Sequence, residues 1–69
     1  MDRESVSSSN IASIGYESDS NVLEIEFIKG GIYQYFDVPS AIHAEMLSSE
    51  SVGKYFAANV KSSYRYSRV

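Results

Sequence analysis

The sequence predicts an α+β fold: a three-stranded antiparallel meander with two short helices packed on one face and a C-terminal segment returning to the sheet. Three observations predict it. Leu23, Ile25 and Phe27 alternate with Glu24 and Glu26, the period-two pattern of a strand with one buried and one wet face. Lys29-Gly30-Gly31 followed by the aromatic and β-branched run Ile32–Asp37 completes a hairpin. Beyond Pro39, the apolar spacing changes to that of helices.

The hairpin register decides where two tyrosines point. A three-residue loop at Lys29, Gly30 and Gly31 sets Phe27 opposite Tyr33 and Ile25 opposite Tyr35, so the apolar residues share a face. A two-residue turn at Lys29-Gly30 instead sets the tyrosines beside Glu26 and Glu24. The first register buries more apolar area, at about 25 cal/mol per Å², and is preferred.

Before the hairpin, Met1–Asn10 is polar and serine-rich and is expected to be frayed. Ala12, Ile14 and Tyr16 alternate with Ser13 and Gly15, a first strand, and Glu17–Asn21 is a turn cluster. After it, Ser40–Ser49 forms a helix that lays Ile42, Met46 and Leu47 on the sheet. Ser51 caps a second helix whose Val52, Phe56 and Val60, four apart, form one buried stripe. Gly53 costs that helix about 1 kcal/mol relative to alanine, so it belongs in the first turn or where a side chain would clash. The tail Lys61–Val69 is open to two readings, a fourth short strand or an ordered coil at the sheet edge.

Sixty-nine residues make one domain, residues 1–69, with a modest core. Without cysteine there is neither a disulfide framework nor a thiolate metal site. No apolar run approaches the roughly 20 residues that span a bilayer, and Met1–Asn10 lacks the pattern of a signal peptide, so the expected setting is the cytoplasm, without membrane contact. The net charge is −3, but it is unevenly spread. All nine acids precede Ser51, against Arg3 and Lys29, whereas the last nineteen residues carry Lys54, Lys61, Arg65 and Arg68 and no acid.

The order SSN, a tyrosine ending the first strand, LEIEF, a glycine turn, YQY, VP and SVGKYFAANV resembles the KTSC domain family over nearly the whole chain. Tyr33-Gln34-Tyr35 corresponds to the family's central tyrosine-x-tyrosine motif, and Ser51, Gly53 and Phe56 match its second helix. The resemblance implies a compact bacterial or phage domain, found alone or at the C-terminus of some lysyl-tRNA synthetases, an association from which RNA binding is suspected. It implies no mechanism.

Catalysis finds little support. His43 is the single histidine, set on a helix at or beside its exposed face, and with fourteen serines a Ser/His/Asp arrangement through Asp37 carries no information. Metal binding and cofactors are not expected: zinc prefers histidine and cysteine, and Glu24 and Glu26 read as a solvated strand face. Tyr33 and Tyr35 have two readings, core residues or a stacking platform for unpaired bases. The tail is the stronger candidate. Lys54, Tyr55, Lys61, Tyr64, Arg65, Tyr66 and Arg68 interleave cations with rings, which suits RNA or single-stranded nucleic acid. The alternative is a module that docks on a protein partner or on itself through Glu24, Glu26, Ile28, Ile32 and Phe36, together with Val22. Neither reading needs an enzyme.

Overall fold

The computed structural model describes residues 1–69. Five strands follow one another in an antiparallel sheet of order β1-β2-β3-β4-β5: β1 Arg3–Ser5, β2 Ile11–Glu17, β3 Val22–Phe27, β4 Gly31–Tyr35 and β5 Tyr66–Arg68. Two helices, α1 Ser40–Ser48 and α2 Val52–Asn59, lie between β4 and β5 in the chain. The α+β class and the helix pair agree with the sequence reading, but the sheet has five strands and not three.

Both extra strands are three-residue edges with little apolar content of their own. β1 replaces the frayed start: Arg3 pairs with Gly15 and Ser5 with Ser13. A Cβ on Gly15 would lie 2.8 Å from the Asp2 carbonyl oxygen and 2.9 Å from Arg3 Cγ, so glycine lets β1 lie this close. β5 settles the tail as a strand, with Tyr66 opposite Tyr35 and Arg68 opposite Tyr33.

The hairpin sets Ile25 opposite Tyr33, Leu23 opposite Tyr35 and Phe27 opposite Gly31. Its loop is three residues long, as preferred, but lies one position earlier, at Ile28-Lys29-Gly30. Gly31 enters β4 at φ 85°, a backbone conformation that side chains resist. Displacing the register by two residues keeps side-chain parity. The tyrosines therefore share a face with Leu23, Ile25 and Phe27.

That face carries the core. Ile11, Ile14, Leu23, Ile25, Tyr35 and Val38 pack with Met46 of α1 and Val52, Phe56 and Val60 at α2. A β-bulge between Ile11 and Ser13 places Ile11, and not Ala12, in the core with Ile14. In α1, Met46 is buried and Ile42 half-buried, but Leu47 is 37% exposed and does not pack on the sheet. α2 follows its predicted stripe, and the Ser51 hydroxyl accepts from the Lys54 backbone N–H at 3.3 Å.

Candidate functional site

The helix-side face of β3, β4 and β5 is lined with rings. Phe56 of α2 meets Phe27 edge-on at 5.5 Å and Tyr35 at 5.4 Å, and Tyr33 meets Phe27 at 5.6 Å. Tyr66 of β5 leans over the tyrosine pair, 5.8 Å from Tyr33 and 5.5 Å from Tyr35. Where the C-terminal end of α2 stands off from β5, these rings border an open groove of about 540 Å³, whose rim includes Asn10, Lys61 and Ser62.

The groove arises from the alternation of the strands. Tyr33 and Tyr35 sit two apart on β4 and point to the same side, while pairing with β5 adds Tyr66 and Arg68 to that side. Tyr35 is 4% exposed and belongs to the core; Tyr33 is half-buried and Tyr66 is 59% exposed. The tyrosine pair is thus core on one flank and groove wall on the other. Arg68 places its guanidinium 6.0 Å from the Tyr33 ring centroid and against Gly31. Neither Lys61 nor Arg68 has an acid within ion-pair distance; the two ion pairs of the protein are Arg3–Glu24 and Arg65–Asp37.

Of the seven tail residues singled out in the sequence, two line the groove, Lys61 and Tyr66, and Arg68 lies beside it against Tyr33 and Gly31. The other four have different work. Arg65 pairs with Asp37 at 3.0 Å and covers the Phe36 ring at 5.5 Å. The Tyr55 hydroxyl donates to Glu45 across the two helices at 2.9 Å, and Tyr64 packs against the core. Lys54 stands beside a separate polar cleft bordered by Ser7, Ser8 and Ser9. Sequence reasoning missed Asn10, Phe27 and Phe56 as groove residues, because only the tertiary fold brings α2 and the loop before β2 to the hairpin.

The strand face proposed as an alternative interface is occupied from within. Glu24 is 7% exposed; it accepts from Gln34 Nε2 at 2.9 Å and pairs with the Arg3 guanidinium. The Gln34 hydrogen bond first, with Arg3 behind it, holds the Glu24 carboxyl below its usual range against the opposing effect of burial. Glu26 accepts from the Ser13 hydroxyl at 2.8 Å, and Ser13 in turn accepts from Arg3 Nε at 2.9 Å. The wet acidic face expected from the alternation is therefore a hydrogen-bonded network. Ile32 and Phe36 are half-buried, and Ile28, 53% exposed, lies in the hairpin loop.

Among the described residues no group of histidines and acids gathers as a metal site, and no helix is long and apolar enough to cross a membrane.

The KTSC domain model matches residues 7–66, and the chain belongs to the KTSC domain family. The crystal structure of a KTSC domain protein from Yersinia pestis superposes with a TM-score of 0.97 at 40% identity, over 99% of this chain and 96% of that one. An uncharacterised protein of Stutzerimonas stutzeri is 36% identical over 70 residues, 100% of this chain and 99% of its own. A lysine–tRNA ligase of Trichormus variabilis is 35% identical over 54 residues, which are 78% of this chain but 10% of the ligase.

Proposed function

We propose that this chain is a non-enzymatic module, working in the cytoplasm, that binds RNA or other single-stranded nucleic acid in the aromatic groove. Lys61 and Arg68 face phosphates, and the exposed flanks of Tyr66 and Tyr33 offer ring surface to unpaired bases. One observation carries the reading: exposed tyrosine surface and Lys61 meet at a single groove, with Arg68 beside its Tyr33 wall, and neither cation has an acidic partner. The net charge of −3 opposes non-specific attraction, but Glu24 and Glu26 of β3 are engaged with Arg3, Gln34 and Ser13. Kinship with a segment of lysine–tRNA ligases, whose name states an action on tRNA, supports a setting near RNA. The docking alternative through Glu24 and Glu26 loses support, since those carboxylates are already bonded within the protein.

The test is binding of labelled octanucleotides across a salt series. Two cations releasing counterions from a single strand predict a slope of log K against log salt near about −1.4. Lys61→Ala with Arg68→Ala should weaken binding by about tenfold or more and flatten that slope. Arg65→Ala should leave both unchanged, because Arg65 is held by Asp37. A slope that survives loss of both groove cations contradicts the reading.

A further inference from the structure

β5 is the last strand of the sheet, and all three of its residues are exposed. Its pairing with β4 has a definite phase. The Phe36 N–H donates to the Arg65 carbonyl at 2.9 Å and the Val69 N–H to the Ile32 carbonyl at 2.9 Å. Such pairs alternate in an antiparallel ladder, so Ser67, opposite Gln34, also turns its backbone inward, while Tyr66 and Arg68 turn theirs to the open side. Of these outward groups, the Arg68 carbonyl has a long contact of 3.5 Å from the Ser67 hydroxyl. The edge also leaves apolar surface in water, with Tyr66 59% and Val69 64% exposed. Free edges are commonly blunted by proline, lysine or a bulge, and Tyr64–Val69 has none of these. Its two arginines lie along the sheet, Arg65 on Asp37 and Phe36, and Arg68 against Tyr33.

Turned antiparallel on itself about Ser67, this segment matches its own copy. Tyr66 then exchanges both backbone bonds with the partner's Arg68, and Arg68 with the partner's Tyr66, through the groups that already face outward. The side chains agree with the backbone. On the groove side, each row across the joined sheets reads Tyr35, Tyr66, the partner's Arg68 and the partner's Tyr33, so a guanidinium 6.0 Å from its own Tyr33 centroid gains a second ring on its other flank. On the opposite side, exposed Val69 falls beside the partner's Arg65. The other free edge lacks this match: β1 turned on itself about Glu4 sets that carboxylate against its own copy, like charge opposite like. Pairing β1 of one copy with β5 of another leaves an edge open at each end and builds a filament instead of a closed pair.

We infer that β5 pairs with β5 of a second copy of this chain, antiparallel with Ser67 facing Ser67, and joins two five-stranded sheets into one of ten strands. The two-fold axis stands perpendicular to the sheet, so both aromatic grooves open on the same side. The partner's Arg68 reaches the Tyr66 wall of each groove, adding a cation that one chain alone places only beside Tyr33. The pairing requires no ligand and does not depend on the nucleic-acid reading. A strand of three residues buries little area, which sets the dimer in the weak, transient class that forms at high micromolar to millimolar concentration.

Sedimentation velocity of the wild type and Ser67→Lys from micromolar to millimolar concentration tests the pairing, together with oxidative cross-linking of Ser67→Cys. The wild type should pass from monomer to dimer. Ser67→Lys changes an exposed side chain, so it should melt like the wild type, but it sets two ammonium groups face to face at the axis and should weaken the dimer by about fivefold or more. The chain has no cysteine of its own, and Ser67 faces its copy in a non-hydrogen-bonded pair, where Cα atoms about 4.5 Å apart suit a disulfide. Ser67→Cys should therefore cross-link much faster than Ser20→Cys, an equally exposed position in the turn between β2 and β3. A wild type that stays monomeric at millimolar concentration, a dimer that Ser67→Lys leaves intact, or a Ser67→Cys that cross-links no faster than Ser20→Cys each overturns the proposal.

Discussion

The imidazole of His43 lies on the ring of Tyr16, 4.8 Å between centroids and 14° from parallel. This contact joins α1 to β2 and makes a helix histidine, expected at or beside the exposed face, half-buried. Burial lowers the His43 pKa below its ordinary 6.5, with Glu4 of β1 pulling weakly the other way. A depressed pKa means that the unfolded chain takes up the proton first as pH falls. Stability from this site is therefore complete above pH 6.5, declines as pH drops through the interval down to the folded pKa, and then levels off. His43→Phe keeps a ring on Tyr16 and removes the proton; its urea-unfolding free energy should be flat across that interval while the wild type loses stability. Equal slopes would show that His43 is not buried by this stack.

Glu24 acts in a more acidic window. Its carboxyl is depressed below the ordinary 4.5, so the stability it contributes is present above that value and is lost as pH falls through the folded pKa. Arg3→Ala takes away one partner and leaves Gln34 as the other. The loss should be about 1–3 kcal/mol, the usual cost of an under-satisfied buried polar group, read by denaturant melts at neutral pH. Because Arg3 is one of the three β1 residues paired with β2 and its side chain ties β1 to Glu24 and Ser13, hydrogen exchange at β1 should rise in the same variant. An unchanged melting curve would return β1 to the status of a loose end.

Gly53 stands in the first turn of α2 for a packing reason. A Cβ there would lie 2.6 Å from Asn10 Oδ1 and 3.2 Å from Ser8 Oγ, so α2 sits directly on the serine-asparagine loop before β2. Asn10 cannot easily retreat: its carbonyl accepts from the Ile28 N–H at 3.0 Å and its side chain from the Ser8 hydroxyl at 3.0 Å. Gly53→Ala should therefore destabilise the protein, although alanine favours a helix by about 1 kcal/mol. In an Asn10→Ala background the same change should stabilise it, a reversal that a double-mutant cycle of melting curves detects.

The long-range pieces explain what the sequence could and could not reveal. β3 and β4 were legible because Leu23–Phe27 alternates strictly, and α2 because Val52, Phe56 and Val60 keep one stripe. β1 was not, since Arg-Glu-Ser has no apolar rhythm and its anchor, Glu24, is 21 residues away in the chain. The same contact hid the true character of the acidic strand face: an alternating glutamate reads as solvated until a distant arginine is known to cover it. The hairpin parity followed from burial, whereas its exact loop depended on which glycine takes a positive φ. At the candidate site, Lys61, Tyr66 and Arg68 were visible as a basic aromatic tail. Their separation from Lys54, Tyr55, Tyr64 and Arg65 was not, because it depends on the particular partners Asp37 and Glu45.

The most direct test of the account is an NMR titration of the ¹⁵N-labelled chain with a short uridine-containing single strand at low and moderate salt. The groove reading predicts amide shifts clustered at Tyr33, Tyr35, Phe56, Lys61, Tyr66 and Arg68, shrinking as salt rises. Shifts confined to other surfaces, or none at all, would contradict it and leave the aromatic groove as a feature of packing.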